Sequence, residues 1–199
     1  MKIVHIFDID KTLADNTHRE DVLKKICVVC GHKQKFNHLH VPCEVCGAVS
    51  MNHDQSSWDE FFDAQLMMKD KPYPKAQAYV RRLLAEKVPI HFITGRGEDT
   101  RTTTENWLEM HYGIDFLRSK LKMRPVKMNG DLASKVKERS IKSLIEEENL
   151  HKDKLFIYDD DPYVFEMYKK YGIVFKAPDC WKVIDPDIVL KTSESSWRP

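Results

Sequence analysis

No stretch of this sequence approaches the roughly 20 apolar residues that a membrane-spanning helix needs, so a bilayer span is not expected. The N-terminal MKIVHIFDID has too short an apolar run before Asp8 for a signal peptide, and a cytoplasmic location is the default expectation. Net charge is close to absent, at +1, so global electrostatics selects no partner and only local patches can. There is no internal repeat, no low-complexity segment and no GxxxxGK followed by Ser or Thr, which excludes kinase chemistry of the P-loop type. An odd cysteine count, five, without an export signal argues against a disulfide framework.

What is present suits one globular domain carrying a small insertion. The chain has 199 residues, 42% of them hydrophobic and 32% charged. Apolar runs at 2–9, 88–94, 154–158 and 173–176 read as buried parallel strands. Helical patterns lie between and after them, over 74–86, 99–111, 134–148 and 162–170. Pro74 and Pro162 stand at helix starts, and Gly113 and Gly172 at helix stops. This alternation predicts an α/β fold with a doubly wound parallel sheet, its core made of 1–15 and 72–186. Residues 187–199 read as a loose tail.

The rhythm breaks between residues 16 and 71, read here as a small helical cap inserted after the first strand. Thr17 with Glu20 predicts a capping box for a helix reaching Ile26. Ser57 is placed as the cap of a second helix over WDEFFDAQL.

Three apolar strands end in reactive polar groups, and ligands of open α/β sheets bind at such carboxyl ends. The first ends in Asp8 and Asp10, whose i, i+2 spacing places both carboxylates on one face. The second ends in Thr94-Gly95-Arg96 and the third in Asp159-Asp160-Asp161. Two close carboxylates must share a proton or a cation. Asp8 with Asp159 or Asp160 offers hard oxygen ligands suited to Mg²⁺. In LASKVKERSIKSLIEEEN, the apolar stripe of Ile141, Leu144 and Ile145 includes Lys137 one turn earlier, while Lys135 faces away. An inward lysine needs a negative partner. Asp161 reads as a helix cap for Pro162 onward. Arg96 reads either as a surface cation or as a contact to phosphate or backbone, and Thr12 as a turn hydrogen bond or a site residue.

FDIDKT, FITGR, VKE on a helix and IYDDD resemble, in order, the four motifs of the haloacid dehalogenase-like phosphatases. The likeness is nearest to the phosphatase domain of bacteriophage polynucleotide kinase-phosphatase, through TGR, MRPVKMNGD and DD followed by VFEMY, and spans about residues 1–180 without the cysteine insert. The resemblance implies Asp8 as nucleophile forming an aspartyl-phosphate, and Asp10 as general acid and base. It implies that Thr94 binds a phosphate oxygen and that Lys137 neutralises charge. It implies that Thr12 supports the Asp10 loop and that Asp159 and Asp160 complete the Mg²⁺ site with Asp8; Asp10 is counted with that metal set, and Thr12, Arg96 and Arg124 are expected on the substrate side. Lys11 departs from the family's usual glycine.

CVVCGH and CEVCGA carry Cys27, Cys30, Cys43 and Cys46, with twelve residues between the pairs. Such spacing suits one tetrahedral Zn²⁺, and the glycine after each pair permits a tight turn. A structural zinc ribbon at 27–47 is expected; a redox pair or an iron-sulfur site is the competing reading. His32, His38, His40 and His53 read as exposed, and Cys180 as packed. Five basic residues (Arg19, Lys24, Lys25, Lys33, Lys35) balance five acidic ones (Asp15, Glu20, Asp21, Glu44, Asp54), so the ribbon lacks a DNA-binding footprint. The basic stretch is RSKLKMRPVK, either a grip on polynucleotide phosphates or an edge strand protected by lysines.

The expected activity is a Mg²⁺-dependent phosphomonoesterase acting on nucleic-acid ends, with the 3′-phosphate as first substrate. A nucleotidase acting on (deoxy)nucleoside monophosphates and a zinc-ribbon adaptor on a silent core are the alternatives.

Overall fold

The computed structural model describes residues 3–35, 41–128, 130–151 and 154–184. His38, His40 and the tail expected at 187–199 lie outside the described residues. In chain order the strands and helices are β1 (Val4–Phe7), β2 (Ala14–Asp15), α1 (Thr17–Glu20), β3 (Lys24–Cys27), β4 (Lys33–Lys35), β5 (Met51–His53), α2 (Gln55–Phe61), α3 (Ala64–Met67) and β6 (Lys71–Pro72). They continue as α4 (Pro74–Ala85), β7 (Ile90–Gly97), α5 (Arg101–Tyr112), β8 (Leu121–Arg124), α6 (Ala133–Glu148), β9 (Leu155–Asp159), α7 (Pro162–Tyr168) and β10 (Ile173–Lys176). The chain divides into two compact units, Asn16–Asp70 and the remainder, Met1–Asp15 with Lys71–Pro199.

The larger unit holds a five-stranded sheet in the order β10-β9-β1-β7-β8, every pair parallel. The chain runs outward from β1 through β7 to β8, then returns to lay β9 on the other side of β1. That reversal is the switch point at which α/β sheets open a crevice beyond their carboxyl ends. Side chains of β1 alternate between the faces. Val4 and Ile6 join Ile141 and Leu144 of α6 and Val164 and Met167 of α7 in one buried cluster. His5 and Phe7 face the other way, into rings from Tyr79 of α4, Tyr158 and Trp181. Gly113 closes α5 in the left-handed region, and Asp161 caps α7 by accepting from the Tyr163 amide, both as the sequence suggests.

The strand expected to stop at Thr94 continues to Gly97, and its pairing with β8 is broken on the way. Phe92 and Ile93 face Leu121 and Lys122, but the next pair is Gly97 with Arg124. Three residues of β7 thus stand against one of β8, so Thr94-Gly95-Arg96 bulge out of the ladder. RSKLKMRPVK supplies β8, the sheet's edge, in keeping with the reading of it as a lysine-guarded edge strand.

The smaller unit departs from the expected helical cap. Its α1 is one turn with Asn16 at the N-cap, the place the sequence pattern gives to Thr17, which lies inside the turn. Residues 24–26, expected as the end of that helix, lie instead in β3, the middle strand of an antiparallel sheet β4-β3-β5. Pairing on both sides overrides the short-range helix signal. Ser57 sits inside α2 rather than capping it; its hydroxyl donates to the Asp54 carbonyl and accepts from the Lys24 amide. The stretch WDEFFDAQL is two helices, because Asp63 accepts from the Gln65 and Leu66 amides and starts α3 anew. Arg19 and Asp70, at the two ends of this unit, form a fully buried bidentate pair with both bonds at 2.8 Å. A third donor of Arg19 reaches the Phe61 carbonyl.

Candidate active site and metal centres

Asp8 follows β1 directly, and the ladder carries one bond further, from its amide to the Tyr158 carbonyl. The chain then turns sharply: Thr12, Leu13 and Ala14 all donate to the Ile9 carbonyl, and Lys11 donates to Ala14. This turn forces Lys11 to φ 57°, which explains why a glycine is the natural occupant of the position. The turn also separates the two acids that a continued strand would have kept on one face.

The Asp8 carboxylate joins those of Asp159, at the end of β9, and Asp160. One oxygen of each lies within 4.8 Å of the others. Lys137, in the first turns of α6, is buried against them, its Nζ 2.7 Å from Asp159 Oδ2 and 3.2 Å from Asp8 Oδ1. Lys135 is exposed and pairs with Asp131 instead. Burial, above all, raises Asp8 well above the ordinary carboxylate range, opposed by Lys137. Asp160 is pushed up to about 7 by burial and then by Asp159. Burial works to discharge Lys137, but Asp159 and Asp8 overcome it and hold its pKa high. Three crowded carboxylates against one ammonium make a hard-oxygen donor set with surplus negative charge, the environment a divalent cation such as Mg²⁺ fits.

Asp10 lies outside that cluster. Its two oxygens accept from Arg96 Nε at 3.0 Å and Nη2 at 2.7 Å. The Arg96 side chain is fully buried, with its guanidinium carbon 5.9 Å from the centre of the Trp107 ring. The reading of Arg96 as a surface cation is therefore excluded. Thr94 is buried and its Oγ1 accepts from the Arg96 amide at 3.3 Å, bracing the bulge. Thr12 makes no turn hydrogen bond through its side chain: the buried hydroxyl has no hydrogen-bond partner among the described residues, while its carbonyl accepts from Trp181 Nε1. Arg124, expected on the substrate side, spends its guanidinium on three carbonyls: Gly95, Met128 and Asp131. The other cations of RSKLKMRPVK are largely matched within the protein, Arg118 by Asp115, Lys120 by Glu148 and Lys122 by Glu147.

One residue near these groups carries no signal in the sequence: Trp107 of α5, which only its three-dimensional pairing with Arg96 exposes. Tyr168, the last residue of VFEMY, is buried on α7, and burial lifts its phenol well above the usual range, opposed by Lys137.

In the smaller unit, Cys27, Cys30, Cys43 and Cys46 bring one sulfur each within 4.8 Å of one another. Cys27 and Cys46 sulfurs are 3.5 Å apart, and those of Cys30 and Cys43 3.6 Å. Tetrahedral Zn²⁺ with bonds of about 2.3 Å needs sulfur separations of about 3.8 Å. The two pairs fold alike. Cys27 and Cys43 donate to the carbonyls of His32 and Ala48, and Gly31 and Gly47 donate back to Cys27 and Cys43. Both glycines take positive φ, 74° and 71°, as such a turn requires. Backbone amides of Cys30 and Val29 aimed at the Cys27 sulfur lower its pKa to about 6, whereas at Cys46 the Ala48 amide is outweighed by the Cys27 and Cys30 sulfurs, which push that thiol up to about 12. Gln34 links the two turns, donating to the Pro42 carbonyl and accepting from the Glu44 amide. Cys180 is buried in the larger unit, and burial raises its thiol to about 12.

No family model matches the chain, and no curated protein matches it. Solved structures do. A haloacid dehalogenase-like hydrolase from Streptococcus pneumoniae aligns at TM-score 0.57 and 13% identity, over 96% of this chain and 97% of its own. Phosphoserine phosphatase in apo form aligns at 0.51 and 13%, over 92% and 90%. A chain of the Pnkp1/Rnl/Hen1 complex aligns at 0.53 and 18% over 87% of this chain, which spans only 45% of that one. The fold is that of the haloacid dehalogenase-like hydrolases.

Proposed function

We propose that this protein is a Mg²⁺-dependent phosphomonoesterase that works through a phosphate ester on Asp8 and removes the 3′-phosphate of polynucleotide ends. The observation that carries the chemistry is the buried cluster of Asp8, Asp159 and Asp160 with Lys137 bonded between two of them. Asp8, Asp159 and Asp160 would hold Mg²⁺, which when bound supplies positive charge against the phosphate oxygens.

An Asp8 oxygen attacks phosphorus as the ester oxygen leaves, and Asp10 gives its proton to the departing alcohol. Asp10 then takes a proton from water, which attacks the same phosphorus and frees both phosphate and Asp8. Lys137 orients Asp8 and offsets charge as the phosphate closes on a carboxylate. Arg96 holds Asp10 by two parallel bonds, so proton uptake by Asp10 requires that pair to loosen; an incoming phosphate competes for the same guanidinium.

The polynucleotide end is supported by the sequence resemblance and by the likeness to the Pnkp1/Rnl/Hen1 complex. One observation favours nucleoside monophosphates instead: Arg118, Lys120 and Lys122 already face carboxylates, and Arg124 faces carbonyls, which leaves little of RSKLKMRPVK for flanking phosphates. Phosphate release with Mg²⁺ from a 3′-phosphorylated oligonucleotide and from nucleoside monophosphates, run in parallel with Asp8→Asn, decides between them. The expected result is preference for the oligonucleotide and silence of the variant. Preference for monophosphates transfers the protein to the second reading, and a wild type inactive on both removes the first reading's substrate.

A further inference from the structure

We infer that Arg124 is a positioning residue for catalysis, a clamp that fixes the Thr94–Arg96 bulge to the loop leading into the Lys137 helix; the inference rests on the phosphomonoesterase reading above. A bulge frees backbone groups that the ladder would otherwise occupy, and each must find another partner. Here the interrupted neighbour strand supplies it. Arg124 stands on β8 opposite Gly97, where pairing resumes, and its Nε donates to the Gly95 carbonyl at 3.1 Å. The same guanidinium reaches away from the sheet: its Nη1 donates to Met128 at 2.9 Å and to Asp131 at 2.8 Å.

The two segments thus joined carry different halves of the site. The bulge holds Thr94 and Arg96, and Arg96 fixes Asp10. Met128 and Asp131 precede α6, whose Lys137 fixes Asp8 and Asp159. One planar group bonded to both holds the proton donor's support and the nucleophile's support in one register. A lysine cannot repeat this, since an ammonium lacks the rigid fork that spans carbonyls in different directions. Misplacement of reacting groups by about 1 Å can cost about 100-fold in rate.

The test is steady-state kinetics of wild type, Arg124→Ala and Arg124→Lys on the better substrate of the two classes. It is joined by amide hydrogen exchange on the same proteins without substrate. Expected are a kcat lowered about 100-fold with KM nearly unchanged in Arg124→Ala, little rescue by lysine, and partial rescue by added guanidinium. Exchange should rise together in the peptides covering 94–97 and 126–133. A raised KM with kcat retained would make Arg124 a substrate contact and overturn the inference. Lost thermal stability with both constants unchanged would make it merely structural and do the same. Exchange that stays protected in either peptide would show that no clamp exists. A wild type inactive on every phosphomonoester would end the functional reading, while the exchange result would still decide the clamp.

Discussion

Lys11 shows how one backbone angle sits behind a motif. The loop after β1 returns three amides to a single carbonyl, and the residue at its tip must take positive φ. A side chain there costs about 1–2 kcal/mol relative to the right-handed region, part of which glycine returns through a looser unfolded state. Lys11→Gly should therefore raise stability by about 0.5–1 kcal/mol, read as a higher urea midpoint at unchanged slope; a lower midpoint would mean that the lysine's charge near Asp160 outweighs the strain. His5 is the second residue with a testable burden. Buried among Tyr79, Tyr158, Phe7 and Phe156, it has its pKa lowered to about 3 by desolvation. The unfolded imidazole, near 6.5, takes up a proton that the folded one refuses, so its contribution is intact above pH 6.5 and is lost as pH falls toward 3. Between pH 7 and pH 5 it should remove about 2 kcal/mol. Asp8, Asp159 and Asp160 move oppositely, since burial raises them and acid relieves their cost. The comparison is therefore wild type against His5→Phe: the wild type should lose more stability over this interval, and parallel curves would contradict it.

At the scale of elements, the parallel strands and their helices were legible because each is a long run with one clear period: apolar strands of the sheet, and an amphipathic α6 that placed Lys137 inward and Lys135 outward. What the sequence concealed was pairing. The stretch 24–26 reads as the end of a helix until β4 and β5 flank it. The bulge at Thr94–Arg96 is visible only against β8, and with it the use of Arg96 on Asp10 and Arg124 on carbonyls. The insert has two ties of its own. Arg19→Ala leaves the buried Asp70 carboxylate without its bidentate partner and should cost about 3–5 kcal/mol, seen as increased proteolysis within 16–70; an unchanged digestion pattern would refute it. The other tie is the cysteine quartet. Zinc content near one per chain, lost in Cys43→Ser, with loss of exchange protection at 24–53 on chelation is expected. A chelated protein with unaltered protection there would overturn the structural role given to the metal.

For the whole molecule, the haloacid dehalogenase-like fold gathers residues from distant parts of the chain at the carboxyl ends of β1, β7 and β9, where the strand order reverses. Asp8, Asp159 and Asp160 were readable as strand-end acids, because an apolar run that turns polar at its tip is a local signal. The separate partners of Asp8 and Asp10 were not, since they depend on a turn that sends one carboxylate to Lys137 and the other to Arg96.

The measurement that bears most directly on the proposed reaction is a rapid acid quench of the Mg²⁺-loaded enzyme turning over a labelled phosphomonoester. Peptide mapping would follow. The account expects the label to be covalently attached to the peptide that carries Asp8, and absent from the Asp8→Asn protein. Label found only in free phosphate, together with turnover by Asp8→Asn, would contradict it.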